Sequence, residues 1–416
     1  MAGWGAVVPA VVAVWAEPFA WWAALTVLFR YLAQVRVERR LHGVRMHPAS
    51  IRWVMSLVLG MAGGFVASMV LWVLGLAGEG PGVAWAAAVT LVLGWVRSRW
   101  MTFAYGAGVV SLASLAAGWF PQGWIPTGWA GFWAGLTHLD VSSMLGAAGV
   151  FGVVEGALVA VIGHLWAIPA HLPGRRGGAV GGYLLQQFWV MPAVTTASFL
   201  SWPAGAILPG GLAPVPITVG FETAAVARLP RERALASAGM IALFGCILLA
   251  LAWVARERSA LAWVAALFAP VAREWISLWS FRREWSGSPR FAQGPGGIRV
   301  LAVVPGSPAA ALGLRPGDTV TEVNGREVHS LTSLYEAIRL QPAFVRMEVR
   351  DPAGDVRICS RSRYEGEPHL LGVVASPGEE EEVEAQVLTV LGRTFSILSE
   401  FLRGRSTRKE PVRGEG

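Results

Sequence analysis

The sequence predicts a polytopic α-helical membrane region, then a small soluble α+β module, then a C-terminal amphipathic helix. Three observations predict this class. Long apolar runs fill the first two thirds of a 416-residue chain that is 54% hydrophobic and only 15% charged, where soluble domains carry about 25% charged residues. The charge is also divided: residues 1–280 hold 16 Arg against 9 acidic residues, and residues 281–416 hold 18 basic and 18 acidic residues, so the formal net charge of +7 belongs wholly to the first part. All 21 Trp lie between Trp4 and Trp285. A disordered tail protein and an ordinary soluble enzyme are excluded, and with a neutral soluble module the pI of 10.2 gives no support to nucleic acid as a partner.

A helix needs about 20 apolar residues to cross the hydrocarbon core. Candidate spans fall at 5–29, 53–78, 81–96, 100–120, 141–170, 180–208, 234–254 and 259–272, with a weaker one at 212–227, which gives about 7 to 9 crossings within residues 1–280. The first run lacks the basic n-region of a signal peptide and leads directly into an Arg-rich stretch, so it reads as a retained span.

Positive residues at span ends mark the cytoplasmic side. The loop from Arg30 to Arg52 carries six Arg against Glu38 and reads as inside; Arg97, Arg99, Arg175 and Arg176 follow suit. The segment Pro121–Asp140 has no Arg or Lys and is rich in Trp and Gly, which suits an outer interfacial segment. If 180–208 crosses and 212–227 returns as a re-entrant pair, Arg228, Arg231, Arg233, Arg282, Arg283 and the soluble module are inside, and only Arg256 and Arg258 are misplaced. Without that return, the module is outside.

Ionisable groups inside a bilayer are functional candidates, and here they are Glu155, His164 and Glu222, with Glu17 a fourth. Glu155 and His164 are half a turn out of phase and do not share a helix face. Two readings stay open for them: buried polar contacts that lock helix packing, or an ion path. Gly60 with Gly64 and Gly152 with Gly156 fit small-xxx-small packing.

After a juxtamembrane linker at 281–290, residues 291–376 alternate short strands and helices. Ile298–Val304 is a strand by its β-branched content, and Pro305-Gly306-Ser307-Pro308 turns it into an Ala-rich helix. A tight turn at 313–318 leads to a strand at Thr319–Val323, and Asn324-Gly325 is a hairpin signal. Ser330 caps a helix to Leu340. Phe344–Arg350 and Val356–Arg361 are strands around the turn 351–354, and Leu370–Ala375 is a last strand.

The block VVPGSPAAALGLRPGDTVTEVNGREV, Val303 to Val328, resembles the central block of bacterial PDZ domains. The resemblance implies a partly open β-barrel with two helices, in which a peptide C-terminus adds as a strand while the backbone N–H groups of a Gly-containing loop hold its carboxylate. Leu370, Leu371, Gly372, Val373 and Val374 resemble the carboxylate-loop strand, and Leu334 and Ile338 lie on the helix that resembles the other groove wall. Gly296-Gly297-Ile298 is a second loop candidate. A module that only packs or dimerises, its groove unused, is the other open reading.

Protease chemistry lacks its groups. None of the seven His is followed by Glu, so the HExxH zinc motif is missing. The only Lys is Lys409, in the charged tail, which removes both a Ser-Lys dyad and a P-loop. No catalytic, metal or cofactor site is predicted. Cys246 and Cys359 fall in different parts of the chain and do not suggest a disulfide framework.

Membrane spans followed by a C-terminal PDZ-like module without protease motifs resemble the family of MinJ-like bacterial cell-division topology factors. The local points are RYLAQVRVERRLHGVRMHP after the first span, LFAPVAREWISLWSFRREWSGSP entering the module, and the block Val303–Val328. The resemblance implies a non-catalytic scaffold in the bacterial plasma membrane, at septum and poles, whose cytoplasmic PDZ domain links a Min-type ATPase and inhibitor to a polar curvature-sensing coiled-coil protein. Its further expected partners are protein C-termini and membrane lipids, and a second copy of the chain is left open. A protease regulator or degenerate membrane protease is one alternative, and a transporter resting on Glu155, His164 and Glu222 is another.

Residues 377–416 read as an acidic linker, an amphipathic helix and a basic tail. Leu388, Leu391, Phe395, Leu398 and Leu402 recur at spacings of 3 and 4, between Glu379–Glu382 and Arg403–Lys409. This stripe is a partner helix, or it packs on the soluble module or the membrane surface.

Overall fold

The computed structural model describes residues 7–43, 46–76, 82–121, 124–174, 179–196, 212–292, 296–362 and 371–378. Its first part is built of helices α1 (Val7–Ala13), α2 (Pro18–His42), α3 (Ala49–Val73), α4 (Gly82–Val96), α5 (Phe103–Ala117), α6 (Ala130–Thr137), α7 (Val141–Ile162), α8 (Pro230–Ala255) and α9 (Ser259–Ser286). Four of these, α3, α7, α8 and α9, are long and apolar enough to cross a membrane, and counting the α1–α2 pair as one span, bent by 80°, makes up to 5. The bend falls at Glu17-Pro18, where Pro18 starts α2 and cannot donate to the turn before it. Helix α2 then runs on to His42 through much of the Arg-rich stretch expected to be a loop. Helices α4 and α5 have 15 residues each.

In their described residues the expected spans 180–208 and 212–227 are strands, not helices. Their described residues form β2 (Ala179–Thr196) and β3 (Leu212–Ala225), and the end of the expected span 141–170 enters β1 (Ile168–Pro173), in an antiparallel sheet of order β1-β2-β3. Apart from Gln186 and Glu222, residues 181–195 and 214–226 are all buried. A strand covered on both faces shows no alternation, so its apolar run is indistinguishable by hydropathy from that of a helix. The distinguishing residues are Pro192, Pro214 and Pro216, which a helix interior rejects.

Beyond Leu184, no strand among the described residues pairs with the outer edge of β2, and side chains of α2 and α3 take the strand's place. The Phe188 carbonyl accepts from the hydroxyls of Tyr31 and Ser56, and the Phe188 N–H donates to Tyr31. Gln34 donates to the Gln186 carbonyl, while Ser68 donates to the Pro192 carbonyl at 3.3 Å and accepts from the Val194 N–H at 3.1 Å. These bonds satisfy backbone groups that have no water to turn to. Gly60 and Gly64 let α3 lie directly against Val190 and Pro192, where any Cβ would collide with backbone. Gly152 and Gly156 make the equivalent approach to α8, against Gly245 and Ala242.

The second part contains β4 (Ile298–Val303), α10 (Pro308–Ala311), β5 (Thr319–Val323), β6 (Arg326–Glu327), α11 (Leu331–Leu340), β7 (Phe344–Arg350), β8 (Val356–Ser362) and β9 (Val373–Ala375). The sheet runs β8-β7-β5-β4-β9, with β6 paired to β5. Ser307 and Ser330 cap α10 and α11, accepting from the N–H groups of Ala310 and Ser333. Asn324 and Gly325 both take positive φ, 53° and 77°, as the hairpin signal requires. The core gathers Val300, Val320, Val323, Leu334, Met347 and Val373.

The two parts are joined by contacts as well as by chain. Helix α9 continues through most of the expected linker, to Ser286. Past the end of β3, Phe291 takes the next place beside β2 through a bridge to Gly181, and the Arg290 N–H donates to the Val226 carbonyl at 3.0 Å. The Tyr183 hydroxyl donates to the Leu301 carbonyl, and Leu301, Ala302 and Val374 are buried in the same apolar cluster as Tyr183 and Phe291.

Candidate functional site

The candidate groove lies between β9 and α11. Gly372 has φ +79°, and an added Cβ there would collide with the Ser307 side chain, so only glycine fits. Its carbonyl accepts from the Val304 N–H at 2.8 Å, and the Leu371 carbonyl accepts from the Ala309 N–H at 2.9 Å. These two bonds fix the loop at the head of α10 and the start of β9 as its edge-strand continuation. Across the groove, Leu331 and Tyr335 are half-buried one turn apart on α11. Burial raises the Tyr335 phenol above its usual range, opposed by a hydrogen bond to the Leu371 backbone.

Leu371 and Gly372 therefore form a turn that leads into the edge strand holding Val373 and Val374, the place expected for a carboxylate loop and strand, and Leu370 lies outside the described residues. Val374 turns its side chain away from this module's own core, toward the first part. Leu334 and Ile338, expected in the groove wall, are 0% and 3% exposed and belong to the core. The half-buried surface of α11 belongs to Leu331 and Tyr335, which period-3.6 reasoning finds once the buried face is known. The proposed partner helix, Leu388, Leu391, Phe395, Leu398 and Leu402, lies outside the described residues.

The intramembrane candidates separate. Glu155 on α7 is buried, paired to Arg273 of α9, and accepts from the Thr102 hydroxyl at 2.9 Å. Glu222 on β3 accepts from Ser98 at 2.6 Å and from the Gln186 amide. A cavity of about 40 Å³ beside Glu222 is also bordered by Arg99, Ser237 and Arg273, the partner of Glu155. Arg99 in turn pairs with Glu274, whose carboxylate also accepts from Tyr105 at 2.9 Å. His164 stands apart, because α7 ends at Ile162 and leaves it in a half-exposed turn. The missed partner was Arg273, which sits just past the expected end of the last span at 272.

Among the described residues, no group of three or more His, Cys, Asp or Glu is placed to hold a metal ion. The arrangement is one of membrane-length apolar helices around a sheet, carrying a module whose edge strand is preceded by a glycine turn. The PDZ domain family model matches residues 299–351.

Similarity extends well beyond that module. The cell division topological determinant MinJ of Bacillus subtilis (strain 168) is 25% identical over 379 residues, covering 88% of this chain and 94% of that protein. Probable cell division topological determinants MinJ of Lacticaseibacillus paracasei and Lacticaseibacillus casei (strain BD-II) are each 37% identical over 83 residues, 20% of this chain and 23% of those proteins. No solved structure matches. The chain is thus similar to MinJ over most of its length, and it carries membrane-length helices followed by a PDZ domain.

Proposed function

We propose that this protein is a non-catalytic membrane scaffold for cell division, which positions cytoplasmic partners through the PDZ groove. The observation that carries this reading is the extent of the similarity to MinJ, 88% of this chain and 94% of that one, rather than the PDZ module alone. The partners proposed are a Min-type ATPase and inhibitor and a polar curvature-sensing coiled-coil protein, with the chain in the plasma membrane at septum and poles. The absence of HExxH and of any Lys but Lys409 supports the non-catalytic half.

A cytoplasmic PDZ domain is supported by where the basic residues gather. Strands β2 and β3 are antiparallel, so Arg228, Arg231 and Arg233, just after β3, lie at the end of the sheet where β2 begins. Phe291 and Arg290 bring the PDZ domain to that same end, and His42 brings the Arg-rich end of α2 there by its bond to the Pro169 carbonyl at 2.9 Å. The exceptions are Arg256 and Arg258, and of these Arg256 caps the far end of α3 through the Gly75 carbonyl at 3.0 Å. The deciding experiment is a fluorescent fusion in dividing cells. Enrichment at septa is expected, and deletion of residues 291–416 should leave the protein in the membrane while releasing its soluble partners; uniform membrane fluorescence through the cell cycle would end the division reading.

A further inference from the structure

The open edge of β9 can be read residue by residue. Val300 gives its N–H to the Asp318 carbonyl at 2.7 Å and its carbonyl to the Gly317 N–H at 2.8 Å, both on the β5 side, and Val300 is the register partner of Ala375. In an antiparallel ladder the N–H and carbonyl of Ala375 must then point away from β4. The neighbouring bond from the Ser376 N–H to the Arg299 carbonyl fits that phase. Because the Gly372 carbonyl faces Val304, Val373 is the other outward residue. A peptide that adds to this edge with its carboxylate on the loop amides pairs its last residue beside Val373 and its third-from-last beside Ala375.

The Ala375 carbonyl is already engaged. His171 Nε2 lies 3.1 Å from it, and since a carbonyl only accepts, Nε2 carries the proton and donates. His171 is outside the PDZ domain: it stands on β1 of the helix-wrapped sheet, opposite Gly181, which itself bridges to Phe291. The docking contacts that hold this geometry are the Tyr183 bond to Leu301 and the shared burial of Val374.

We propose that His171 is a specificity-determining residue of the PDZ groove, contributed by the membrane region. It holds the acceptor that the third-from-last amide of a ligand would use, and so confines strand pairing to the last two residues of a chain ending in a free carboxylate. The proposal rests on the groove reading given above. In the docked state, selection falls on those two residues, and recognition further upstream requires His171 to let go.

The test uses the full chain in lipid nanodiscs and a positional-scanning library of pentapeptides with free C-terminal carboxylates, alongside its C-terminally amidated counterpart. The native protein should select residues at the last two positions only, and N-methylation of the third-from-last amide should leave binding unchanged. His171→Ala should gain selection at the third position and bind its best pentapeptide about fivefold more tightly, the scale of one hydrogen bond. His171→Gln, which keeps a donor, should behave as the native protein does. Loss of binding to the native protein on N-methylation at that amide overturns the proposal, whether or not the variants fold, and so does equal third-position selection by native protein and His171→Ala. If the carboxylate library binds no better than the amidated one to any form, the groove reading itself fails, and this inference with it.

Discussion

Glu155 of α7 and Arg273 of α9 form an ion pair whose side chains are only 3% and 7% exposed. A buried charge that loses its partner is costly, by about 3–5 kcal/mol, whereas replacing both partners with apolar groups of similar size is often neutral. Both guanidinium groups that border the cavity have carboxylate partners, Arg273 in Glu155 and Arg99 in Glu274. This favours the packing reading of Glu155 over an ion path.

Glu155→Leu should therefore lower stability by about 3–5 kcal/mol, and adding Arg273→Leu should recover most of that loss. Denaturant unfolding of the purified chain in detergent measures both. A double variant as unstable as the single one would show that the charges do more than satisfy each other.

Gly372→Val tests the loop. The native φ of +79° costs a non-glycine residue about 1–2 kcal/mol, and the collision with Ser307 adds to it. The PDZ domain should lose carboxylate-dependent peptide binding while the variant chain stays in the membrane. Binding that survives at native affinity would place the carboxylate elsewhere, with Gly296-Gly297 as the next loop to examine.

Acid should weaken the fold near two histidines. Burial depresses the pKa of His47, reinforced by the Arg52 charge, and that of His164, reinforced by Arg231. With folded values below the unfolded one of about 6.5, both rings are neutral in both states above that pH and their stabilising contribution is complete. As pH falls below 6.5 and through the folded values, the unfolded chain binds protons first and that contribution is lost. The melting temperature should hold above about pH 7 and decline below 6.5, and the double variant His47→Gln, His164→Gln should flatten that decline. Both groups are partly exposed, so the effect is modest.

Legibility in the sequence followed the physics of burial. The PDZ module was readable because strands such as β7 and β8 alternate covered and open residues, and because its elements are bounded by local signals with their own chemistry, such as Asn324-Gly325 and the cap at Ser330. The sheet of β1, β2 and β3 was not, because enclosure on both faces gives strand and helix the same apolar run, and only the prolines dissent. Hydropathy found Glu155 but not Arg273, since pairing across 118 positions leaves no periodic trace. The bond from His171 to Ala375, 204 positions apart, was beyond any local pattern. The exposed face of α11 was misassigned for a nearer reason: Leu334 and Ile338 are the apolar residues a groove would want, and the core took them.

Sidedness gives the last prediction. Ser288 is exposed between the end of α9 and the bridge at Phe291, so a cysteine there reports the compartment of the PDZ domain directly. With Cys246 and Cys359 replaced by Ser, Ser288→Cys should be protected from a membrane-impermeant thiol reagent in intact cells and should label once the membrane is opened. The strand hairpin makes this a sharp test. Because the chain leaves β3 through Arg228, Arg231 and Arg233 and returns beside Val226 and Ala227 just after α9, that Arg cluster and Ser288 lie at one end of the sheet, and the positive-inside rule predicts a protected cysteine there. Labelling in intact cells would put Arg228, Arg231 and Arg233 on the outer face together with the PDZ domain, and would remove cytoplasmic Min-type partners from the proposed function.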